Sequence, residues 1–297
     1  EKGVSDPAGY DSLSLWGALM MTGAVLISAL GQHRHVAKQS PPAPRGAGLG
    51  HALAEVKATL SNKAFLWLVS AALFALINQG LTFALSNYQL AFLWQLQQME
   101  MLYYALLLFG TVIVAFFIVP PLSARLGKKN GAILLALLSL SFNTALYASW
   151  LLDLVPGGPS DPSVAFMFSF LIFSNSTAIG MMMLTSSMMA DVVEASQQET
   201  GRRSEGLFFA GYFFMQKCAV GIGTFAAGMI LSFAQFPQNA KPGQVDVAVL
   251  DGLALYYMGV VAVLGITGVL ILRHFPISRE SHNERLRALN TSAESAS

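Results

Sequence analysis

The chain has 297 residues, of which 54% are hydrophobic and only 11% are charged. Soluble proteins carry about 25% charged residues, so a soluble fold could not cover this much apolar surface. The formal net charge of +1 gives no general attraction to nucleic acid, and the single cysteine excludes an internal disulfide. These values indicate an integral membrane protein. Because the chain begins at Glu1 without a signal-peptide pattern, we interpret it as a fragment or a processed chain.

Seven segments are long and apolar enough to cross a bilayer as helices. A transmembrane helix needs about 20 apolar residues, because each residue rises about 1.5 Å through a hydrocarbon core about 30 Å thick. The predicted spans are Leu13–Leu30, Ala64–Leu85, Leu102–Leu122, Gly131–Leu152, Val164–Met189, Leu207–Ala234 and Leu253–Leu272. Only one of them contains an Asp, Glu, Lys, Arg or His, and that residue is Lys217. The predicted fold is therefore an all-α membrane protein with seven transmembrane helices.

Basic residues are concentrated on one side of these spans. Most of the 17 basic residues follow the first, third, fifth and seventh spans, namely Arg34, Lys38, Arg45, Lys57, Lys63, Arg125, Lys128, Lys129, Arg202, Arg203, Arg273, Arg279, Arg285 and Arg287. The opposite side holds Lys2 and Lys241. By the positive-inside rule the basic side is cytoplasmic, which predicts an outer start and a cytoplasmic C-terminus in a bacterial inner membrane.

The spans and loops divide the chain into four parts. Residues 1–31 hold the first span, residues 32–62 form a cytoplasmic central loop, residues 63–273 form a six-helix bundle and residues 274–297 form a cytoplasmic tail. Within the central loop, residues 39–50 are rich in Pro and Gly and predict flexible or extended chain, whereas residues 51–63 favour a short amphipathic helix at the membrane surface. The outer connection 155–163 is predicted to be rich in turns.

Lys217 is the strongest single signal of function in the sequence. It lies about ten residues, or about 15 Å, inside its predicted helix and therefore close to the bilayer midplane. A charge at that depth costs about 2.5–3.5 kcal/mol on insertion scales. Lys217 is either a substrate or cation-site lysine that faces a wet cavity, or a structural lysine paired with a carboxylate or with backbone carbonyls. Since the predicted spans hold no carboxylate or histidine, this chain alone cannot provide a carboxylate coupling site.

Uncharged polar side chains recur on two of the predicted helices. Asn78, Thr82 and Ser86 fall on one face at spacings of four residues, and Gln79 and Asn87 flank that face. A second group lies in the fifth span and comprises Ser174, Asn175, Ser176, Thr177, Thr185, Ser186 and Ser187. Such groups can bind a polar solute, or they can form interhelical hydrogen bonds worth about 0.6 kcal/mol each. Five methionines share the fifth span, and their simplest role is adaptable packing: Met181, Met182, Met183, Met188 and Met189.

The predicted inner connection 190–206 is dense in charges of both signs. Asp191, Glu194 and Glu205 stand close in sequence to Arg202 and Arg203. This segment is either a solvated loop or a cytoplasmic gate of switchable salt bridges. The candidate gate residues are Asp191, Glu194, Arg203 and Glu205.

The run MADVVEASQQETGRRSEGLFFAGYFFMQK, from Met189 to Lys217, resembles the helix 10 to helix 11 segment of the glycoside–pentoside–hexuronide:cation symporters, which include the melibiose carrier. The acidic pair Asp191 and Glu194, the pair Arg203 and Glu205, and Lys217 match without a gap. The loop ARLGKKNG also resembles a degenerate loop motif of the major facilitator superfamily. The resemblance implies a twelve-helix carrier of two six-helix bundles. This chain would supply helix 6, the central loop and helices 7–12, and its partner would be the missing N-terminal bundle.

By the same resemblance, Lys217 lies in or near a shared substrate and cation region. The candidate substrate and cation site therefore comprises Lys217, Asn78, Thr82, Met182, Tyr212 and Gln216. Met182 stands where the melibiose carrier has a sugar-stacking tryptophan, so the sugar specificity of that carrier is not carried over.

The function that we expect is symport of a sugar or glycoside with Na⁺ or H⁺ by alternating access, with no chemical step, no resident metal and no cofactor. A lysolipid carrier or another solute carrier of the same fold is an alternative. A seven-span receptor is a third interpretation, since an outer start and an inner end would fit one. A membrane enzyme is not expected, because the sequence holds no metal-binding or nucleophile–base cluster.

Overall fold

The structure is a computed structural model that describes residues 7–36, 57, 59, 61–200 and 205–276. The helices are α1 (Pro7–Val36), α2 (Lys63–Tyr88), α3 (Gln98–Leu151), α4 (Val164–Thr200), α5 (Glu205–Phe233) and α6 (Val247–Leu272). A short π-helix, Gln89–Leu93, continues α2. Six helices in the described part of the chain are long and apolar enough to cross a membrane. The prediction of an all-α membrane protein is therefore confirmed.

The prediction of seven separate helices is not confirmed, and the difference lies in α3. This helix has 54 residues and covers the third and fourth predicted spans. Its one non-helical residue is Gly127, at φ 77° and ψ 165°, a conformation that glycine adopts without the strain of a side chain. A Cβ at Gly180 would lie 3.0 Å from side-chain atoms of both Val119 and Leu135, which a straight helix would hold about 24 Å apart. The chain therefore folds back at Gly127, and residues 98–126 and 128–151 form the two halves of α3.

Two further helix boundaries differ from the sequence prediction. α4 continues to Thr200, so Asp191 and Glu194 lie on a helix and not in the predicted loop. α6 begins at Val247, earlier than predicted, because the side chain of Asp246 accepts a hydrogen bond of 3.0 Å from the backbone N–H of Ala248. As a result, α6 includes Asp251, which the sequence analysis left outside the spans.

α1 forms a unit of its own, and its described side chains are mostly exposed. The predicted flexible segment 39–50 and most of the predicted amphipathic helix 51–63 lie outside the described residues, as do Arg202, Arg203 and residues 277–297. The predicted turn-rich connection 155–163 is confirmed. It consists of consecutive turns, with Gly157 and Gly158 at positive φ.

Helices α2 to α6 pack into one bundle, in which α3 packs closely on α4 and α6 contacts both α2 and α3. α2 and α5 cross at Gly80 and Gly223. A Cβ at Gly80 would lie 2.6 Å from the carbonyl oxygen of Val220, and one at Gly223 would lie 2.6 Å from the backbone nitrogen of Leu81. The two backbones are thus in direct contact, which small residues allow at helix interfaces in membranes.

Candidate functional site

A cleft of about 410 Å³ opens into the bundle formed by α2 to α6. Its lining is mainly apolar but includes a group of polar side chains, and we call it the polar cleft for that group. Each of these helices contributes lining residues. The polar ones are Asn78, Gln79, Thr82, Ser86, Tyr104, Ser139, Asn143, Ser174, Asn175, Thr185, Tyr212 and Tyr257. The surrounding helices are strongly apolar, so these hydroxyl and amide groups stand out from the rest of the lining.

The hydroxyl of Tyr257 joins three helices at the side of the cleft. It lies 3.0 Å from the hydroxyl of Thr82 on α2 and accepts a hydrogen bond of 3.5 Å from the side-chain amide of Asn143 on α3. Tyr257 is fully buried, and its ring centre lies 4.7 Å from that of Tyr147. The tight packing fixes the direction of the hydroxyl, so this part of the cleft is preformed.

Two acceptor atoms near the cleft have no partner among the described residues. The side-chain oxygens of Asn78 and Asn143 are buried and accept no hydrogen bond there. Buried polar atoms in folded proteins are nearly always hydrogen-bonded to protein, water or ligand. A molecule that carries hydroxyl or amide donors matches this arrangement.

Some of the side chains that line the cleft are exposed, and we take them as its opening. Gln79, Phe83 and Met182 lie at this opening and are all exposed. The side-chain amide of Gln79 donates to the sulfur of Met182 at 3.8 Å. The opening therefore combines one amide, one thioether and one aromatic ring, which can contact both polar and apolar parts of a solute.

The predicted site residues divide into two groups. Asn78, Thr82, Met182 and Tyr212 line the cleft together, whereas Lys217 and Gln216 do not line it. A helix turns about 100° per residue, so Tyr212 and Lys217 point in directions about 140° apart on α5. Lys217 is exposed about 18 Å along that helix, and no described residue forms an ion pair or hydrogen bond with it.

The predicted gate residue Asp191 has a partner that the sequence analysis did not consider. Its two carboxylate oxygens lie 2.6 and 2.8 Å from the ammonium group of Lys128, which follows the turn at Gly127. Neighbouring Lys129 donates to the carbonyl oxygen of Phe275 at 2.8 Å. Glu194 is exposed on α4 and Glu205 begins α5, while Arg203 lies outside the described residues. The turn of α3 is thus tied to α4 and to the segment after α6.

The sequence analysis missed four polar residues that line the cleft, namely Tyr104, Ser139, Asn143 and Tyr257, and it also missed Asp251 on α6. Asn143 and Tyr257 could have been found as single polar groups inside strongly apolar spans. Asp251 was missed because α6 was predicted to begin too late. Asp251 on α6, and Asp191 and Glu194 on α4, all lie on long apolar helices, so the statement that no span holds a carboxylate was wrong. Asp251 accepts a hydrogen bond of 2.9 Å from the indole nitrogen of Trp150. In the described residues, no cluster of His, Cys, Asp and Glu is arranged to hold a metal ion.

Comparison with known proteins gives consistent matches. A family model described as "MFS/sugar transport protein" matches residues 2–279. An "uncharacterized symporter" of Synechocystis sp. is 26% identical over 289 residues, which cover 93% of this chain and 51% of that protein. Proteins named "Putative 2,3-dihydroxypropane-1-sulfonate exporter" are 29% identical over 160 residues in Salmonella typhimurium and 28% identical over 163 residues in Escherichia coli.

These two exporters match over 53% and 54% of this chain and over 32% of their own length. The chain therefore spans about half of the symporter's length and is matched by a third of each exporter. The matches point to a family of transporters and not of enzymes. From the family model, which covers most of its residues, we conclude that the chain belongs to the MFS/sugar transport protein family.

Proposed function

We propose that this chain is the C-terminal part of a secondary carrier that moves a small polar solute together with Na⁺ or H⁺ by alternating access. The second bundle of the carrier would come from a preceding segment, and the end of this bundle that carries Lys63, Lys128 and Arg273 would face the cytoplasm. The observation that carries the proposal is the polar cleft, because it brings polar side chains from five helices to one cavity, and small-molecule sites in membrane carriers lie in cavities between helices.

The chemistry of the cleft favours a polyhydroxylated solute such as a sugar or glycoside. The unsatisfied oxygens of Asn78 and Asn143 accept hydroxyl hydrogens, and Thr82 and Tyr257 can both donate and accept. A volume of about 410 Å³ lies in the range of small-molecule sites. Tyr104 and Tyr212 add aromatic surface for the apolar faces of a sugar ring.

A second candidate function is the transport of a small hydroxylated organic anion. Lys217 favours it, because this exposed ammonium group has no acidic partner among the described residues. An anionic group of a solute would neutralise a charge that is costly at the bilayer midplane. Two relatives carry the name "Putative 2,3-dihydroxypropane-1-sulfonate exporter", and that sulfonate is an anion with two hydroxyl groups.

The role of the cleft is tested by exchanging one hydroxyl for a methyl group in the full-length carrier. Thr82→Val removes the hydrogen bond to Tyr257 and one donor of the cleft, and we expect solute affinity in transport assays to fall about fivefold. Thr267→Val is the matched control, because Thr267 is half-buried on α6, does not line the cleft, and bonds only to the carbonyl oxygen of Val263. Equal transport by both variants would contradict a binding role for the cleft.

The two candidate solute classes are separated by counterflow in proteoliposomes. Vesicles are loaded with a radiolabelled neutral sugar or with 2,3-dihydroxypropane-1-sulfonate, with and without gradients of Na⁺ and H⁺. Exchange of the sugar that depends on a cation gradient supports sugar symport. Exchange of the sulfonate that is lost in Lys217→Met supports the anion carrier. Exchange of neither solute would refute both assignments.

A further inference from the structure

The hydroxyl hydrogen of Tyr257 has a single acceptor among the described residues. Tyr257 is fully buried, so this hydrogen is not bonded to bulk water. Two side chains lie within hydrogen-bond distance of the hydroxyl, Thr82 at 3.0 Å and Asn143 at 3.5 Å. Asn143 approaches with its amide nitrogen, which only donates, and its amide oxygen has no partner among the described residues. The acceptor for the Tyr257 hydrogen is therefore the hydroxyl oxygen of Thr82.

The opposite direction of this hydrogen bond is unfavourable. If Thr82 donated to Tyr257, the phenolic hydrogen would stay without an acceptor in the interior of the bundle. A buried donor without an acceptor has lost its hydrogen bonds to water and has gained none in return. The hydrogen bonds therefore run from Asn143 to Tyr257 and from Tyr257 to Thr82, and we call these three residues the donor chain.

The donor chain leaves the hydroxyl hydrogen of Thr82 available at the wall of the cleft. Thr82 is half-buried, lines the cleft and makes no other side-chain hydrogen bond with the described residues. Asn78 lies one turn earlier on the same face of α2, about 6 Å along the helix, and also lines the cleft. Its side-chain oxygen has no donor among the described residues. This face of α2 thus provides one donor and one acceptor.

A hydroxyl group is the chemical group that matches such a pair. It accepts a hydrogen bond with its oxygen and donates one with its hydrogen. An ether or sulfonate oxygen only accepts, and an ammonium group only donates. Sites that are built to bond a hydroxyl group discriminate strongly against analogues that lack it, because polar groups of the site would then remain unpaired.

We propose that the carrier selects its solute by one hydroxyl group, which accepts a hydrogen bond from Thr82 and donates one to Asn78. Tyr257 is a positioning residue for this contact. It is fully buried and does not touch the solute, but it holds the hydrogen of Thr82 toward the cleft. The inference rests on the proposed function and applies to both candidate solutes, since each carries hydroxyl groups.

The experiment uses the full-length carrier in proteoliposomes and whichever probe it exchanges, 2,3-dihydroxypropane-1-sulfonate or methyl glucoside. Unlabelled analogues that each lack one hydroxyl group compete against the labelled probe, and the ratio of affinities gives the selectivity for that hydroxyl group. We expect one analogue to compete roughly tenfold or more weakly than the complete solute. Thr82→Val should lower this selectivity about fivefold, whereas Thr82→Ser, which keeps the hydroxyl group, should retain it.

Tyr257→Phe should lower the same selectivity in the otherwise wild-type carrier. It should cause no further loss of selectivity in the Thr82→Val background, because a positioning residue acts only through the side chain that it orients. Tyr147→Phe is the matched control and should leave the selectivity unchanged. Tyr147 is a buried tyrosine whose ring centre lies 4.7 Å from that of Tyr257, and it does not line the cleft.

The outcomes separate this inference from the proposed function. Exchange of neither probe would refute the proposed function and the inference with it. Exchange in which every analogue competes as well as the complete solute would overturn the inference alone. The inference also fails if Tyr147→Phe matches Tyr257→Phe, or if Tyr257→Phe lowers the selectivity equally with and without Thr82, since Tyr257 would then be a packing residue.

Discussion

The crossing of α2 and α5 gives the sharpest prediction, because a single methyl group should disturb it. In Gly223→Ala the new Cβ would lie 2.6 Å from the backbone nitrogen of Leu81 and closer still to the carbonyl oxygen of Ile77. Ordinary contacts of a Cβ begin near 3.4 Å, and both neighbours are backbone atoms that cannot rotate away. The two helices must therefore separate by about 1 Å, which removes a quarter to a half of the dispersion energy at contacts along the crossing.

We expect Gly223→Ala to destabilise the full-length carrier by about 1–3 kcal/mol, the usual effect of overpacking. On the scale of soluble domains, 2 kcal/mol lowers Tm by about 4–8 °C. Gly259→Ala is the matched control, because a Cβ at Gly259 on α6 meets no atom within 4 Å. The assay is thermal unfolding in detergent, followed by uptake in proteoliposomes. If Gly223→Ala and Gly259→Ala unfold at the same temperature, the close crossing does not exist in the assembled carrier.

Three other predictions follow from charged residues. Lys217→Met should lower cation-coupled uptake at least tenfold, which corresponds to about 1.4 kcal/mol in the activation free energy. Membrane insertion, measured by surface labelling, should stay normal. Full uptake with ion coupling would show that Lys217 has a structural role. In a Cys218→Ser background, a cysteine that replaces Lys128 should react with a thiol reagent only from the cytoplasmic side. A cysteine that replaces Lys241 should react only from outside. Labelling of position 128 in intact cells would contradict the proposed orientation. Asp191→Asn should slow transport more than it weakens solute binding, because it releases Lys128 from α4, and unchanged transport would reduce this ion pair to a surface contact.

Most of the fold was predictable because each span must satisfy its own backbone hydrogen bonds and therefore forms a long apolar helix. The errors arose where side chains and turns decide the boundary. Gly127 reverses the chain with one non-helical residue, so the two predicted spans are the two halves of α3 and are not separated by the loop that the sequence analysis expected. Asp246 caps α6 and moves its start back beyond Asp251, a local effect that a hydropathy window cannot register.

The candidate site was predictable only in part. The spacing of Asn78 and Thr82 correctly placed them on one face of α2, and both line the cleft. Asn143 and Tyr257 come from distant parts of the chain. The hydrogen bonds of the Tyr257 hydroxyl with Thr82 and with Asn143 depend on how α2, α3 and α6 pack, which the sequence does not state directly. Lys217 shares α5 with Tyr212 but points elsewhere, because proximity along a helix does not place two side chains on one face.

The turn at Gly127 also determines where the protein can be engineered. The two halves of α3 form a helical hairpin and are joined through one non-helical residue. The turn at Gly127 therefore has no loop residues that could accommodate an insertion. A fusion partner placed there would have to unwind helix on either side and would separate Lys128 from Asp191. The connection 155–163, which follows the second half of α3, is a longer loop made of consecutive turns. An epitope tag or a fluorescent label is therefore better inserted in this connection than at Gly127.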